Sequence, residues 1–275
     1  MQWRRLLWPF SLIYDSITRV RNTAFDQGIL PSRSFSVPVI AVGNLSTGGT
    51  GKTPMVEFLL RKLETYKRAV VSRGYGRRTS GLIIATPEHT ARDIGDEPLQ
   101  VFRKFPDIQM VLSEKRVVGL EALQNTPAEV VILDDAFQHR YVKPGFHVLL
   151  TTFQNPFYAD LVLPAGNLRE SSRGKSRANL IVVTKCPAEL NPELAGIIRQ
   201  KISPREGQKV FFTTLDYGVP LNPQQIALPE HSKVLVISGI ANSRPFMDHV
   251  SGNFEIQEHL DYNDHHDFTQ TDIQK

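Results

Sequence analysis

VPVIAVGNLSTGGTGKTP, residues 37–54, decides how this 275-residue chain is read. Residues 37–44 form a short β-branched apolar run. A glycine-rich stretch follows, and residues 55–63 then repeat apolar positions at helical spacing, so the order is strand, loop, helix. The loop approximates GxxxxGK[ST]. Glycines let successive backbone N–H groups turn toward phosphate, a lysine reaches the outer phosphates, and a hydroxyl serves Mg²⁺. The nucleotide-binding candidates are Ser46, Thr47, Gly48, Gly49, Thr50, Gly51, Lys52 and Thr53. Ser46 stands where the first glycine normally does, with Gly48 and Gly49 as compensation. A glycine-rich turn carrying a chance lysine is the alternative, and its placement between strand and helix argues against that.

Working outward, apolar runs at 68–72, 109–112, 130–133 and 147–151 alternate with helical patterns at 98–104 and 114–123. Strands alternating with helices predict an α/β fold, a P-loop NTPase-like, mostly parallel sheet with helices on both faces. The Pro/Gly/Asn stretch 155–167 interrupts the alternation as a domain boundary or a functional loop, and further strands are expected at 180–184, 209–214 and 233–238, with a helix at 192–202. The expected organisation is residues 1–33 as an N-terminal amphipathic helix, 34–154 as the P-loop core and 155–275 as a second, smaller α/β lobe. A helix start at Thr269 close to Lys275 makes that lobe read as truncated at its C-terminal side.

Trp3, Leu6, Leu7, Phe10, Ile13, Tyr14, Ile17 and Val20 recur every three or four residues, flanked by Arg4, Arg5, Arg19 and Arg21. Charges and Pro9 break the run, so it neither spans a bilayer nor reads as a signal peptide. A helix packed on the domain and a helix lying on a membrane surface both fit, and Trp3 and Trp8 beside arginines favour the headgroup region.

A composition of 41% hydrophobic and 22% charged residues is that of a folded chain. Cys186 is the sole cysteine, which excludes an intrachain disulfide and a multi-cysteine metal site and suits a reducing compartment. The net charge of +4 suits an anionic partner. No zinc-finger spacing, RNA-binding aromatic signature or long basic tract is present, so no nucleic-acid partner is expected. No protein partner is predicted either.

The run Val130 to Leu133 ends in Asp134 and Asp135, which reads as the acidic strand end that a P-loop needs for Mg²⁺. One Asp can hold the metal while its neighbour orients a ligand or base, and which does which stays open. In SRGYGRR (72–78), Arg73, Arg77 and Arg78 offer guanidiniums for a phosphate or anionic headgroup, against the alternative of a solvated basic loop. Residues 93–98, DIGDEP, place acids where they simply favour a helix dipole. The DHHD run at 264–267 reads as a surface turn rather than a metal site.

Together GNLSTGGTGKTP (43–54), SRGYGRR (72–78), GDEP (95–98), LDDAFQHR (133–140), LPAGNLRE (163–170), VVTKCP (182–187) and DHHDF (264–268) closely resemble the tetraacyldisaccharide 4′-kinase family of the Gram-negative lipid A pathway. The resemblance covers most of the chain, and Ser46 is itself family-like. It implies an ATP- and Mg²⁺-dependent kinase acting on the 4′-hydroxyl of a tetraacylated glucosamine disaccharide 1-phosphate. It also implies a peripheral enzyme on the cytoplasmic face of the inner membrane, with the lipid held between two lobes. Carried over residue by residue, it assigns Lys52 and Thr53 to the P-loop, Asp134 and Asp135 to the metal, Glu170 to metal support, Asp96 to the base and His265 to its partner.

The rivals are a P-loop switch or partition ATPase, a GTPase and a non-catalytic lipid-binding module. The first expects an early lysine where Thr47 stands. The second expects NKxD, where Thr184-Lys185-Cys186-Pro187 has proline in place of aspartate. The third leaves the P-loop unexplained.

Overall fold

The structure, a computed structural model, describes residues 2–273 apart from Pro223, Ala241, His265 and Asp267. It divides after Leu215 into a large and a small unit.

In the large unit a 3₁₀ turn (Gln2–Leu7) leads into α1 (Trp8–Asp26). Then come β1 (Val39–Asn44), α2 (Lys52–Lys62), β2 (Arg68–Ser72) and β3 (Ile83–Ile84). They are followed by α3 (Ala91–Ile94), α4 (Asp96–Lys104), β4 (Gln109–Leu112), α5 (Arg116–Ala122) and β5 (Val130–Leu133). The unit closes with β6 (Phe146–Thr152), β7 (Leu180–Thr184), α6 (Pro192–Ile202) and β8 (Lys209–Phe212). The strands form one sheet in the order β3-β4-β2-β5-β1-β6-β7-β8, parallel throughout except for the two-residue edge strand β3.

Continuous apolar runs are what a sheet buried on both faces requires. Val42, Val70, Ile132 and Val182 pack with Val56 and Leu60 of α2 and Leu99 of α4. The alternate residues Ala41, Val71, Val131 and Leu133 pack with Leu120 of α5. β1 lies between β5 and β6, so the loop after β1 and the acids after β5 emerge side by side at the carboxyl edge of the sheet, where open α/β sheets bind ligands.

The expected boundary at 154/155 falls inside this sheet, because β7 pairs with β6 and β8 with β7. The stretch 155–167 is therefore a loop within the large unit. In the small unit β9 (Lys233–Ser238), α7 (Arg244–Asn253) and β10 (Glu255–Asp261) form a parallel βαβ unit around Val236, Val250 and Phe254, followed by α8 (Gln270–Ile273). The sequence reading missed α7 and β10, since β10 carries mostly polar residues and offers little periodic apolar signal.

The orientation of α1 inverts that of an ordinary packed helix. Ser11 Oγ donates to Val162 O (2.9 Å), Tyr14 OH to Arg169 O (3.1 Å), and Asn22 Nδ2 to Glu170 Oε2 (2.7 Å). Leu6 (81% exposed), Phe10, Ile13, Ile17 and Val20 face outward instead. Tyr14, counted in the apolar stripe by its spacing, points inward through its hydroxyl. No described helix is long and apolar enough to cross a membrane.

Candidate active site

The loop after β1 is braced from two sides. Ser46 forms an antiparallel bridge with Leu168, flanked by Thr47 N–H donating to Asn167 O (2.7 Å) and Arg169 N–H donating to Leu45 O (2.7 Å). Ser46 therefore sits in paired extended backbone, which explains why no glycine is needed there. Gly48 (φ 104°) and Gly51 (φ 83°) take left-handed conformations that a side chain would strain. Across the loop, Thr184 Oγ1 donates to Thr50 O at 2.8 Å. Gly51 is the N-cap of α2 and provides no side-chain cap. The first N–H groups of that helix therefore remain available to an anion, with Lys52 and Thr53 as its first two residues.

Asp134 lies half-buried directly beside this loop. Its Oδ2 accepts from Ser72 Oγ at 3.1 Å, while its Oδ1 is buried with no hydrogen-bond partner. Burial, then the charges of Asp135 and Glu97, raise its pKa to about 6 against the opposing pull of Lys52. Thr53, Ser72, Glu97 and Asp134 line one small cavity. An unsatisfied buried carboxylate oxygen is costly unless something fills the position, and a hydroxyl and carboxylates are the oxygen donors that Mg²⁺ takes. The residues present fit that ion.

Asp135, at φ 44°, turns the other way and meets Lys52 Nζ (3.9 Å) and Arg169 Nη1 (3.1 Å). Behind the pair, Arg116 donates to the carbonyls of Ser113 and Asp134, both at 3.0 Å. Burial lowers its pKa to about 10 against the two aspartates. His139 Nε2 accepts from Arg116 N–H at 3.3 Å, and burial with the charges of Arg116, Arg21 and Arg73 lowers its pKa to about 4. His139 is thus a neutral acceptor.

Glu170 does not join the metal candidates. It is buried, and its oxygens accept from Arg177 at 2.9 and 2.7 Å, from Asn22 at 2.7 Å and from Gln138 at 3.1 Å. A carboxylate neutralised by a guanidinium and filled by donors has no lone pair facing the metal position, so its role is to brace the loop against α1. Arg77 is likewise internal, bonding Glu114 and the Gly81 carbonyl (2.8 Å), and is unsuited to reach a substrate. Arg73 and Arg78 are exposed, and the Arg73 side chain makes no ion pair or hydrogen bond among the described residues.

Asp96 is the exposed first residue of α4, its Oδ1 accepting from Glu97 N–H at 2.9 Å. A β-carbon at Gly95 would lie 2.7 Å from Tyr75 O, and one at Gly74 would lie 3.0 Å from Ile94 O. The basic loop and the acidic turn are therefore packed against one another. His265 lies outside the described residues. Sequence reasoning missed Ser72, Glu97, Arg116 and Arg169. Ser72, Glu97 and Arg169 stood inside the motifs at 72–78, 95–98 and 163–170, but only the packing shows which neighbour faces the site.

A family model described as tetraacyldisaccharide-1-P 4′-kinase matches residues 3–275. The chain belongs to this family. A tetraacyldisaccharide 4′-kinase of Flavobacterium johnsoniae is 45% identical over 98% of this chain and 81% of its own length. One from Bacteroides thetaiotaomicron is 42% identical over 98% and 76%. The crystal structure of an "apo" form of LpxK from Aquifex aeolicus in complex with ATP superposes with a TM-score of 0.81 at 32% identity, covering 97% of this chain and 85% of that one. The predicted α/β architecture and kinase family are thereby established.

Proposed function

We propose that this chain transfers the γ-phosphoryl group of ATP to the 4′-hydroxyl of a tetraacylated glucosamine disaccharide 1-phosphate, working peripherally at the cytoplasmic face of the bacterial inner membrane. The observation that carries the reading is the buried, unpartnered Asp134 Oδ1 beside Thr53, at an uncapped helix N-terminus that bears Lys52.

The N–H groups around Gly48 to Thr53 hold the phosphates, and the Lys52 ammonium bears on the outer ones. Asp135 and Arg169 orient that ammonium. Thr53 and Asp134 would hold Mg²⁺, with Glu97 adding negative charge nearby, and the bound ion supplies neutralisation of phosphate charge. The acceptor oxygen forms its bond to the γ-phosphorus as the bond to the ADP oxygen breaks, and the acceptor proton passes to Asp96. Arg73 and Arg78 offer charge to an anionic acceptor. The outward apolar stripe of α1, with the exposed Arg5 of the preceding 3₁₀ turn and Arg19 beside it, supports docking on a lipid surface. A switch ATPase reading explains neither that stripe nor the kinase relatives.

The test is product identification with labelled ATP and the lipid disaccharide 1-phosphate. Label at the 4′ position in the wild type, and its loss in Lys52→Ala with the fold retained, is expected. ATP hydrolysis independent of acceptor, with no labelled lipid, would return the chain to the switch class.

A further inference from the structure

Lys185 follows directly on β7 and takes a left-handed backbone conformation, φ 57°. Such a conformation costs a lysine about 1 kcal/mol or more relative to glycine and persists only where the surroundings impose it. Here Thr184 is tied by its hydroxyl to Thr50 O (2.8 Å) and Thr151 O (3.2 Å), and Cys186 N–H donates to Thr213 O at 2.9 Å. The backbone is thus clamped on both sides of Lys185, and the turn throws its side chain back over the phosphate loop. A β-carbon at Gly49 would stand 3.8 Å from Lys185 Nζ. Lys185 is exposed and has no ion-pair or hydrogen-bond partner among the described residues. Proximity to the loop desolvates the ammonium and lowers its pKa.

The strand order indicates which end of the nucleotide it meets. β5, with Asp134 and Asp135, lies on one side of β1, while β6 and then β7 lie on the other. The outer phosphates are drawn to the β5 side by Lys52, Thr53 and Asp134, so the nucleoside must leave toward β7. We infer that Lys185 is a nucleotide-positioning residue whose stem and ammonium cover the ribose and purine of ATP against Gly49, rather than contacting the triphosphate. The inference rests on the phosphate-loop reading and deepens it. A lysine presents methylenes along an apolar surface and a cation to a ring face or a sugar oxygen, so its chemistry suits that half of the ligand. Pro187, two residues on, presents no carboxylate to read a guanine edge.

The experiment measures calorimetric binding of ATP and of inorganic tripolyphosphate, each with Mg²⁺, to the wild type, Lys185→Met and Lys185→Gly. The glycine variant relieves the left-handed backbone and so retains the fold if the methionine variant does not. Expected is a roughly tenfold loss of ATP affinity in both variants, near the value of one favourable charged contact, with tripolyphosphate affinity changed by less than about twofold. In turnover the loss should fall on KM for ATP, and Lys185→Arg should recover most of it. Equal losses for both ligands, or no loss for either, would overturn the inference. A wild type that binds neither ligand would sink the phosphate-loop reading and this inference with it.

Discussion

Arg177→Leu tests whether Glu170 braces the site or serves a metal. Glu170 is 3% exposed, and the guanidinium meets it through two hydrogen bonds of 2.9 and 2.7 Å. Removing the cation leaves a buried carboxylate held only by Asn22 and Gln138, and breaking a buried pair by deleting one partner costs about 3–5 kcal/mol. For a unit of this size, each kcal/mol lowers the midpoint by roughly 2–4 °C, so calorimetry should show a fall of about 6–20 °C. Because Asn22 lies on α1, Gln138 bonds Asn44 O (2.8 Å), and the chain beside Glu170 pairs with residues 45–47, the loss should also loosen the phosphate loop. The double variant Glu170→Gln, Arg177→Met removes both charges and should regain more than half of the lost stability, since no unpaired ion remains. The decisive arm is Glu170→Gln alone, assayed for turnover against Mg²⁺ concentration. A structural brace predicts an unchanged half-saturating Mg²⁺ concentration. A shift of tenfold or more, with the midpoint temperature unchanged, would refute this placement of Glu170.

Asp96→Asn should bind ATP normally and lose about 10²–10⁴-fold in turnover, the usual share of a general base, while retention of more than about a tenth would leave Asp96 with a capping role only. Replacing the exposed Leu6, Ile13 and Ile17 by Ser should lower partitioning onto anionic vesicles at least about tenfold without altering ATP affinity, because interfacial binding scales with apolar area. Unchanged sedimentation with vesicles would refute the docking role of α1. The contribution of His147 to stability should fall as pH drops from about 6.5 toward 4: burial lowers its pKa to about 4, so in that window the unfolded chain binds the proton and the folded one does not, while Asp134, raised to about 6, takes up a proton in the folded chain and opposes the loss. The loss from His147 reaches about 3 kcal/mol near pH 4, with a smaller share from the more open His139, and is absent above about pH 7. Replacing His147 by Phe should flatten this acid limb in urea titrations, and an unchanged limb would remove His147 as its cause.

What the sequence determined by itself is whatever is local in the chain. The loop from Ser46 to Thr53 is contiguous, its chemistry is carried by residue type and spacing, and the flanking strand and helix announce themselves by period; Asp134 and Asp135 are legible for the same reason. The apolar runs likewise disclosed a sheet buried on both faces. Where contacts bridge distant segments, residue type was a poor guide. Glu170 and Arg77 have the chemistry of site residues, yet the fold delivers Arg177 to one and Glu114 to the other and so uses up their charges. The stretch 155–167 reads by composition as a domain boundary or a functional loop, and β7 and β8 return to the sheet beyond it, because parallel pairing is a property of strands far apart in sequence. The apolar stripe of α1 left open which side of the helix faces the protein, and the tertiary structure hydrogen-bonds the helix through Ser11, Tyr14 and Asn22 and leaves Leu6, Ile13 and Ile17 exposed. Lys185 carried no signal beyond a degenerate TKCP run, because its meaning depends on a left-handed turn that brings it over Gly49, 136 positions earlier in the chain. Periodicity and spacing report on neighbours along the chain, whereas which charges remain free to act is settled only when the fold has chosen their partners.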